Sequence, residues 1–437
     1  MQIQEQTAPP ANALEAIDEA LAKVVGHALQ KIEHLRDGRE VILYPLFGRE
    51  YLGNVAEQSH FLKYLYDESH QIFLLAATIQ SKVNWTFRDV TTRGCYNLNI
   101  DPVWLELYQL INFNFCPGIV IKGDGWTLVP SFRGSLLRER YSEAQIAGGP
   151  RATTYLTEDE EEQGLALWRR LGIRHAAPLV VLHVREAGYH PTMPDADFRS
   201  SSIENYLPAI RWLVQQGVTV VRIGDRSMRP LPAIGPGVID APHHPDYAPL
   251  LDPYAVSKCG FMIGSSSGPT DLARGFAKPQ LTVNGYICDY HPLDSNHMIL
   301  PRLIVSAEAN ASLSLSEIYN TCLSRLAKNS DLSVRGLRAQ ECHPDDILAA
   351  TREFANIYLT GAATNAHAEN PLQIYCCKEQ LARKASGALL PEERYCSFFS
   401  PTARLATALL ERRPSYTDGE PIPVADRRPH PPIGLGL

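Results

Sequence analysis

No apolar run in the 437 residues approaches the roughly 18–20 residues that a membrane-spanning helix requires, so no transmembrane segment is expected. The opening stretch, MQIQEQTAPPANALEAIDEALAKVV, lacks a basic segment followed by an apolar one, and no secretory signal is expected. Surplus positive charge is also missing. With 41 Lys and Arg against 48 Asp and Glu the formal charge is −7, which argues against nucleic acid as a partner. Nine cysteines make an odd number with no repeated CxxC spacing, and the adjacent Cys376 and Cys377 do not suit one tetrahedral metal site. The expectation is free thiols in a reducing cytoplasm. Internal repeats, heptads, a Gly-Lys-Ser/Thr phosphate loop and a GxSxG nucleophile elbow are absent as well.

What remains is a chain of 45% hydrophobic and 20% charged residues, long enough for two domains with additions. Leu14, Ile17, Leu21, Val25, Leu29, Ile32 and Leu35 mark an amphipathic helix over 12–36. Strands are expected at EVILYPLFG (40–48), QIFLLAAT (71–78) and PGIVIKG (117–123), with a helix over QSHFLKYLYDE. That alternation predicts a layered α/β unit over 1–150. A bridging helix in 151–178 opens with a capping box, Thr157 with Glu160, and the acidic run Glu158–Glu162 suits its amino-terminal dipole.

From residue 179 the pattern sharpens. LVVLHV, VTVVRIGD, GVIDAP, GFMIG and PQLTVNG read as strands. SSIENYLPAIRWLVQQG, DYAPLLDPYAVSKC and PTDLARGF read as the helices between them, the first with a capping box of Ser201 and Glu204. This predicts a doubly wound parallel sheet, in which ligands bind at the carboxyl ends of the strands. Helices are expected in 346–413, including TARLATALLERR, and a disordered Pro-rich tail over 414–437.

Three features fall on that carboxyl edge. His183 and Arg185 leave one face at the end of LVVLHV, and a guanidinium there needs an anion, either a phosphate or a nearby Asp or Glu. GSSSGPTD (264–271) runs from a strand into a helix whose first amides, with the Ser265, Ser266 and Ser267 hydroxyls, suit an anion; a plain helix cap is the alternative. Asp252 suits either a nucleobase or ribose, or helix capping, and Arg199 is a second cation within reach. In PDAD, Asp195 and Asp197 imitate a metal-holding DxD triplet but fit better as a general base beside Arg185. Cys288, His291 and His297 match no usual zinc spacing, and His243 and His244 read as a turn.

The run LHVREAGY…FRSSSIENYLPAIRWLVQQGVTVVRIGD, then IGSSSGPTDLARGFAKPQLTVNGY and LPRLIV…LSLSEIY, resembles a family of bacterial glycosyltransferases often encoded among surface-polysaccharide or natural-product genes. The resemblance covers about residues 150–350. More distantly, the His-Val-Arg strand and the Ser-rich strand exit resemble the GT-B α1,6- and protein O-fucosyltransferases. GREYLGNVAEQSHFLKY resembles their acceptor-side loop, with Gly53 in place and Asn54 where a His is expected.

The resemblance implies a GT-B architecture. A Rossmann-like acceptor domain (1–150) and a nucleotide-sugar domain (179–345) would face across a cleft, joined by the helix in 151–178 and followed by a C-terminal helical extension. Arg185 would neutralise the donor's diphosphate, His183 and Asp252 would hold guanine, and Ser265 to Ser267 would bind phosphate. Arg199, Gly224 and Asp271 stand with the donor-binding residues, Gly53 and Asn54 with the acceptor side, and Asp195 or Asp197 as base. The implied co-substrate is a GDP-sugar, with UDP- and dTDP-sugars open, and the acceptor is a hydroxyl or amine of a small molecule or glycan. Neither metal nor cofactor is implied, inversion follows from the fucosyltransferase likeness, and homodimerisation stays open. The rival readings are a nucleotide-sugar epimerase or hydrolase of the same fold and a non-catalytic binding subunit.

Overall fold

The computed structural model describes residues 11–46, 52–76, 84–99, 118–122, 125–129, 136–173, 177–187, 199–285, 294–321, 323, 329–361 and 403–419. The first half holds a five-stranded sheet of β1 (Glu40–Pro45), β2 (His70–Ala76), β3 (Cys95–Asn99), β4 (Gly118–Lys122) and β5 (Gly125–Val129), in the order β3-β2-β1-β4-β5. β1 to β3 are parallel, whereas β4 runs antiparallel to β1 and pairs with β5 as a hairpin. The Rossmann-like expectation therefore fits β1 to β3 alone: Gly125 follows Lys122 too closely for a crossover helix, so the chain doubles back.

Helices α1 (Ala11–Ile32), α2 (Leu52–Leu65), α3 (Trp85–Thr92) and α4 (Leu136–Gly148) accompany this sheet. The apolar run of β1 is buried on both faces. Val41 and Leu43 pack with Val25, Ala28 and Ile32 of α1, while Ile42 and Tyr44 pack with Phe61 and Leu62 of α2 and Tyr141 of α4.

Helix α5 (Glu158–Arg170) leads into the second sheet. Thr157 and Glu160 form the expected capping box, each side chain accepting from the other residue's amide at 3.2 and 2.8 Å. Gly164 lets α5 close on Tyr254, whose ring stands 2.0 Å from where a Cβ would lie. The second sheet is seven-stranded and parallel throughout. Its strands are β6 (Leu179–His183), β7 (Thr219–Arg222), β8 (Val238–Asp240), β9 (Phe261–Gly264), β10 (Gln280–Gly285), β11 (His297–Pro301) and β14 (Arg404–Leu405), ordered β14-β11-β10-β9-β6-β7-β8. A separate hairpin, β12 (Leu303–Ser306) with β13 (Leu337–Gln340), lies outside both sheets.

Helices α6 (Leu207–Gln215), α7 (Leu251–Lys258), α8 (Gly268–Gly275), α9 (Pro344–Tyr358) and α10 (Thr407–Arg412) accompany this sheet, with two short helices at Leu315–Asn320 and Asn329–Ser333. Val180, Leu182 and Val184 pack in one core with Ile210, Leu213 and Phe354; Leu179 and Val181 pack in the other with Trp168, Tyr254 and Leu272. The alternation persists through Val184, one residue past the end of β6.

Several expectations change. The Ser201–Glu204 capping box does not form, because the Ser201 amide donates to the Arg185 carbonyl at 2.8 Å and the Ser202 hydroxyl meets Glu204 instead. Gly53 and Asn54 lie in the first turn of α2, not in a loop. His297, in the Cys288–His297 stretch, starts β11 and is buried beside Asp294 at 3.5 Å. In the C-terminal region Arg404 and Leu405 add a strand to the second sheet, which a helical period in TARLATALLERR concealed. The amino-terminal end of the expected tail is ordered, since Pro414–Thr417 form a 3₁₀ turn that buries Tyr416 in the core. Residues 362–402 and 420–437 lie outside the described residues.

The two halves meet through helix amino termini at the carboxyl edges of their sheets. Gly53 of α2 lies against Gly268 of α8, so that a Cβ on Gly53 would stand 2.8 Å from the Gly268 Cα. Asn84, whose side chain caps α3 by accepting from the Phe87 amide, also donates to the Pro249 carbonyl just ahead of α7 at 3.1 Å. Ala56, Phe87 and Val90 of the first half share one buried cluster with Val181, Met262, Tyr254 and Leu272 of the second. Beside it runs a buried charged cluster. Arg138 of α4 grips Glu57 of α2 at 3.0 and 2.7 Å, and Arg274 of α8 reaches Asp271 at 2.6 Å and Asp294 at 3.0 Å. A charge buried here is tolerated because it is paired.

Candidate functional site

The site is built where β6, β7 and β9 end. His183, only 6% exposed, holds a defined tautomer: its Nδ1 lies 3.2 Å from the Ile223 carbonyl, which only accepts, so Nδ1 carries the proton. Nε2 is then an acceptor for the Ser267 hydroxyl at 3.0 Å. Burial pushes the imidazole pKa down to about 4, which keeps the ring neutral at physiological pH. Gly224 makes room for this arrangement. It has φ +141°, and a Cβ there would fall 2.2 Å from the Met228 sulfur and 3.4 Å from His183 Nδ1.

The Ser-rich strand exit meets the same edge. The Ser265 amide donates to the His183 carbonyl at 3.2 Å, and its buried hydroxyl accepts from the Arg185 amide at 2.8 Å. Ser267 occupies the N-cap position of α8 in extended conformation but does not cap it, since its hydroxyl is directed to His183. In the first turn of α8 Pro269 has no amide hydrogen and the Thr270 amide donates to the Ser267 carbonyl at 3.0 Å, while the Ser267 side chain makes no cap bond. Ser266 sits half-buried between the two. Arg185 is half-buried, its backbone pinned by Ser265 on one side and Ser201 on the other. Arg199, also half-buried, lies two residues from that second contact.

Asp252 lies in the first turn of α7, where the Tyr247 hydroxyl donates to its Oδ2 at 3.2 Å. Its Oδ1 is buried with no hydrogen-bond partner among the described residues. Burial pushes this carboxyl up to about 8, the nearby Asp225 charge adding to the rise and the Tyr247 hydroxyl opposing it. Asp225 follows Gly224, and its charge acts on both Asp252 and His183. A folded-state pKa above the ordinary 3.8 means that the folded form binds more protons, so this group costs stability progressively as pH rises from about 4 to about 8. Asp252→Asn, which stays neutral, is expected to flatten the fall of Tm over that range and to be the more stable form at pH 8. The wild-type slope attributable to this carboxyl is at most about 1.4 kcal/mol per pH unit. Parallel Tm–pH curves for the two proteins would refute this.

Of the residues singled out from the sequence, His183, Arg185, Gly224, Ser265 and Ser267 are joined directly; Ser266 lies between two of them in the chain, Arg199 lies two residues before Ser201, and Asp252 bonds to Tyr247. Asp271 lies on the far side of the α8 amino terminus, with Oδ1 engaged by Arg274 and Oδ2 3.2 Å from the Cβ position of Gly53. Asn54 uses its carbonyl to accept from the Gln58 side chain at 2.8 Å. Asp195, Asp197, Cys288 and His291 lie outside the described residues.

Sequence reasoning missed a buried ionic network directly behind Arg185. Glu186 accepts from Arg222 Nη2 at 2.7 Å and from the Arg229 amide and Nε at 2.9 and 3.0 Å; Arg222, fully buried, also reaches Asp240 at 3.2 Å. The signal was present. Arg222 interrupts the apolar run VTVVRI, and a cation inside a buried strand demands a carboxylate.

No family model and no curated protein matches this chain. Among solved structures it is similar to the glycosyl transferase family 9 from Veillonella parvula DSM 2008, at 12% identity and a TM-score of 0.38 over 60% of this chain and 85% of that one. It is also similar to E. coli ADP-heptose lps heptosyltransferase II, at 11% identity and a TM-score of 0.34 over 60% and 90%. Neither superposition is close enough to carry an assignment, which rests on the residues.

Proposed function

We propose that this chain is a GT-B glycosyltransferase that moves a sugar from a nucleoside-diphosphate donor to a hydroxyl or amine of a small molecule or glycan, with no metal. The observation that carries the reading is the joining of β6 to α8: His183 to Ser267, and the Arg185 amide to Ser265. It holds the backbone of Arg185, a permanently charged residue, beside the strand exit that leads into α8, whose N-cap residue makes no side-chain cap bond. Sugar transfer leaves a diphosphate, and fixed donors at that spot stabilise the charge developing on it.

On this reading the second sheet is the donor side and the first sheet the acceptor side, with the cleft between their carboxyl edges. A GDP-sugar is the favoured donor, UDP- and dTDP-sugars the alternatives, and Asp195 or Asp197 the base that takes the acceptor's proton. The location is the cytoplasm.

The test is a thermal-shift panel of GDP, UDP, dTDP, CDP and ADP, with and without Mg²⁺. A nucleotide at a hundred times its Kd adds about 2.7 kcal/mol to the folded state, so the matching base should stand out, indifferent to Mg²⁺. No shift with any diphosphate would overturn the reading. Consumption of the matching sugar nucleotide only when an acceptor is supplied separates a transferase from a donor hydrolase or epimerase.

A further inference from the structure

Glu186 is 8% exposed and accepts from three donors belonging to Arg222 and Arg229, so it sits at the centre of the network behind the site. The two arginines tie it to different places. Arg222 is in β7, and Arg229 lies in the connection to β8, beyond the Gly224 turn that passes under His183. Arg229 reaches outward to Glu204 at 2.8 Å, and Arg222 reaches sideways to Asp240, whose other oxygen accepts from the Leu231 amide at 2.8 Å. The carboxylate of Glu186 thus fastens the segment after β6 to the segment after β7.

That segment is the one that presents Arg185. β6 ends at His183, so the sheet itself no longer holds residue 185. What holds it is the Ser265 hydroxyl on its amide, the Ser201 amide on its carbonyl, and Glu186 immediately downstream. A side chain that meets a ligand keeps its geometry only if its backbone is fixed, and here two hydrogen bonds on residue 185 are backed by a buried ionic clamp one residue on.

We propose that Glu186 is a positioning residue for the diphosphate site: its buried carboxylate, clamped by Arg222 and Arg229, holds the backbone that carries Arg185. The inference rests on the functional reading above. Asp240 supplies the control, since it shares Arg222 with Glu186 but is bonded to β7 and the 229–231 segment rather than to the loop after β6.

The experiment compares Glu186→Gln and Asp240→Asn in the full chain. It measures Tm, the Kd for whichever nucleoside diphosphate the wild type binds, and hydrogen exchange at the Arg185 amide. Both variants strip Arg222 of one counter-charge, so both lower Tm. Glu186→Gln alone is expected to weaken diphosphate binding by about tenfold to a hundredfold and to speed exchange at Arg185. Equal effects of the two variants on Kd and exchange, once Tm is matched, would reduce Glu186 to a purely structural role and overturn the proposal.

If Glu186→Gln does not fold, Arg229→Met is the substitute. Arg229 is largely exposed and its loss frees one oxygen of Glu186, so a smaller change in the same direction is expected, and none would overturn the proposal. Absence of any diphosphate binding by the wild type would defeat the functional reading instead, while the exchange measurement would still decide whether Glu186 holds residue 185.

Discussion

Arg185→Ala is expected to bind the matching nucleoside diphosphate weaker by about 2–5 kcal/mol, which is the cost of removing one partner of a desolvated charge pair. That corresponds to roughly thirtyfold to several thousandfold in Kd, and turnover should vanish with it. The fold should survive, because both hydrogen bonds that pin residue 185 use backbone groups that alanine retains. Arg185→Lys keeps the charge but loses the planar fork, so it should fall between the two. Isothermal titration reads the affinity and circular dichroism the fold. Unchanged affinity in Arg185→Ala would remove this residue from the site, and with it the central support for sugar transfer.

The second large effect is expected at the junction of the two halves. Arg274→Met fills a similar volume but leaves Asp271 and Asp294 without the guanidinium that contacts both. Removing one side of a buried ionic cluster costs about 3–5 kcal/mol, a large share of the 5–15 kcal/mol that holds a typical domain. Asp271 is already held above the usual carboxylate range by burial, with the neighbouring Glu57 charge adding to it, and loss of Arg274 raises it further. The variant can therefore shed its penalty by taking up protons. Urea unfolding should show a large deficit at pH 8 and a distinctly smaller one at pH 5. A deficit of equal size at both pH values would mean that packing, including the stacking of Arg274 over Phe61 at 5.8 Å, matters more than charge.

Both variants probe the meeting of segments far apart in sequence, and this is where sequence and structure part company. Patterns local to a few residues were legible. The apolar runs of β1, β6 and β9 appear as strands because burial on both faces demands continuous hydrophobicity. The Thr157–Glu160 capping box formed because its partners are three residues apart. The Ser-rich exit from β9, and Arg185 just past the end of β6, announced themselves as polar residues where an apolar strand stops.

The Ser201–Glu204 box failed for the complementary reason: the loop after β6 claimed Ser201 first, and nothing within four residues reveals that competition. The same holds for Arg404 and Leu405, which became a strand because β11 offered an open edge.

The α/β class, the parallel second sheet and the carboxyl edge on which the candidate residues fall are all readable from the linear chain, because periodicity and strand exits are local properties. Which partners those residues have emerges from the fold alone. The neutral Nδ1-protonated state of His183 depends on a carbonyl 40 residues away, the hold on Arg185 on a hydroxyl 80 residues away, and the meeting of the two halves on Gly53 lying against Gly268. Side-chain charge state, tautomer and close backbone approach are set by what is brought near in space, and a linear pattern contains no distances.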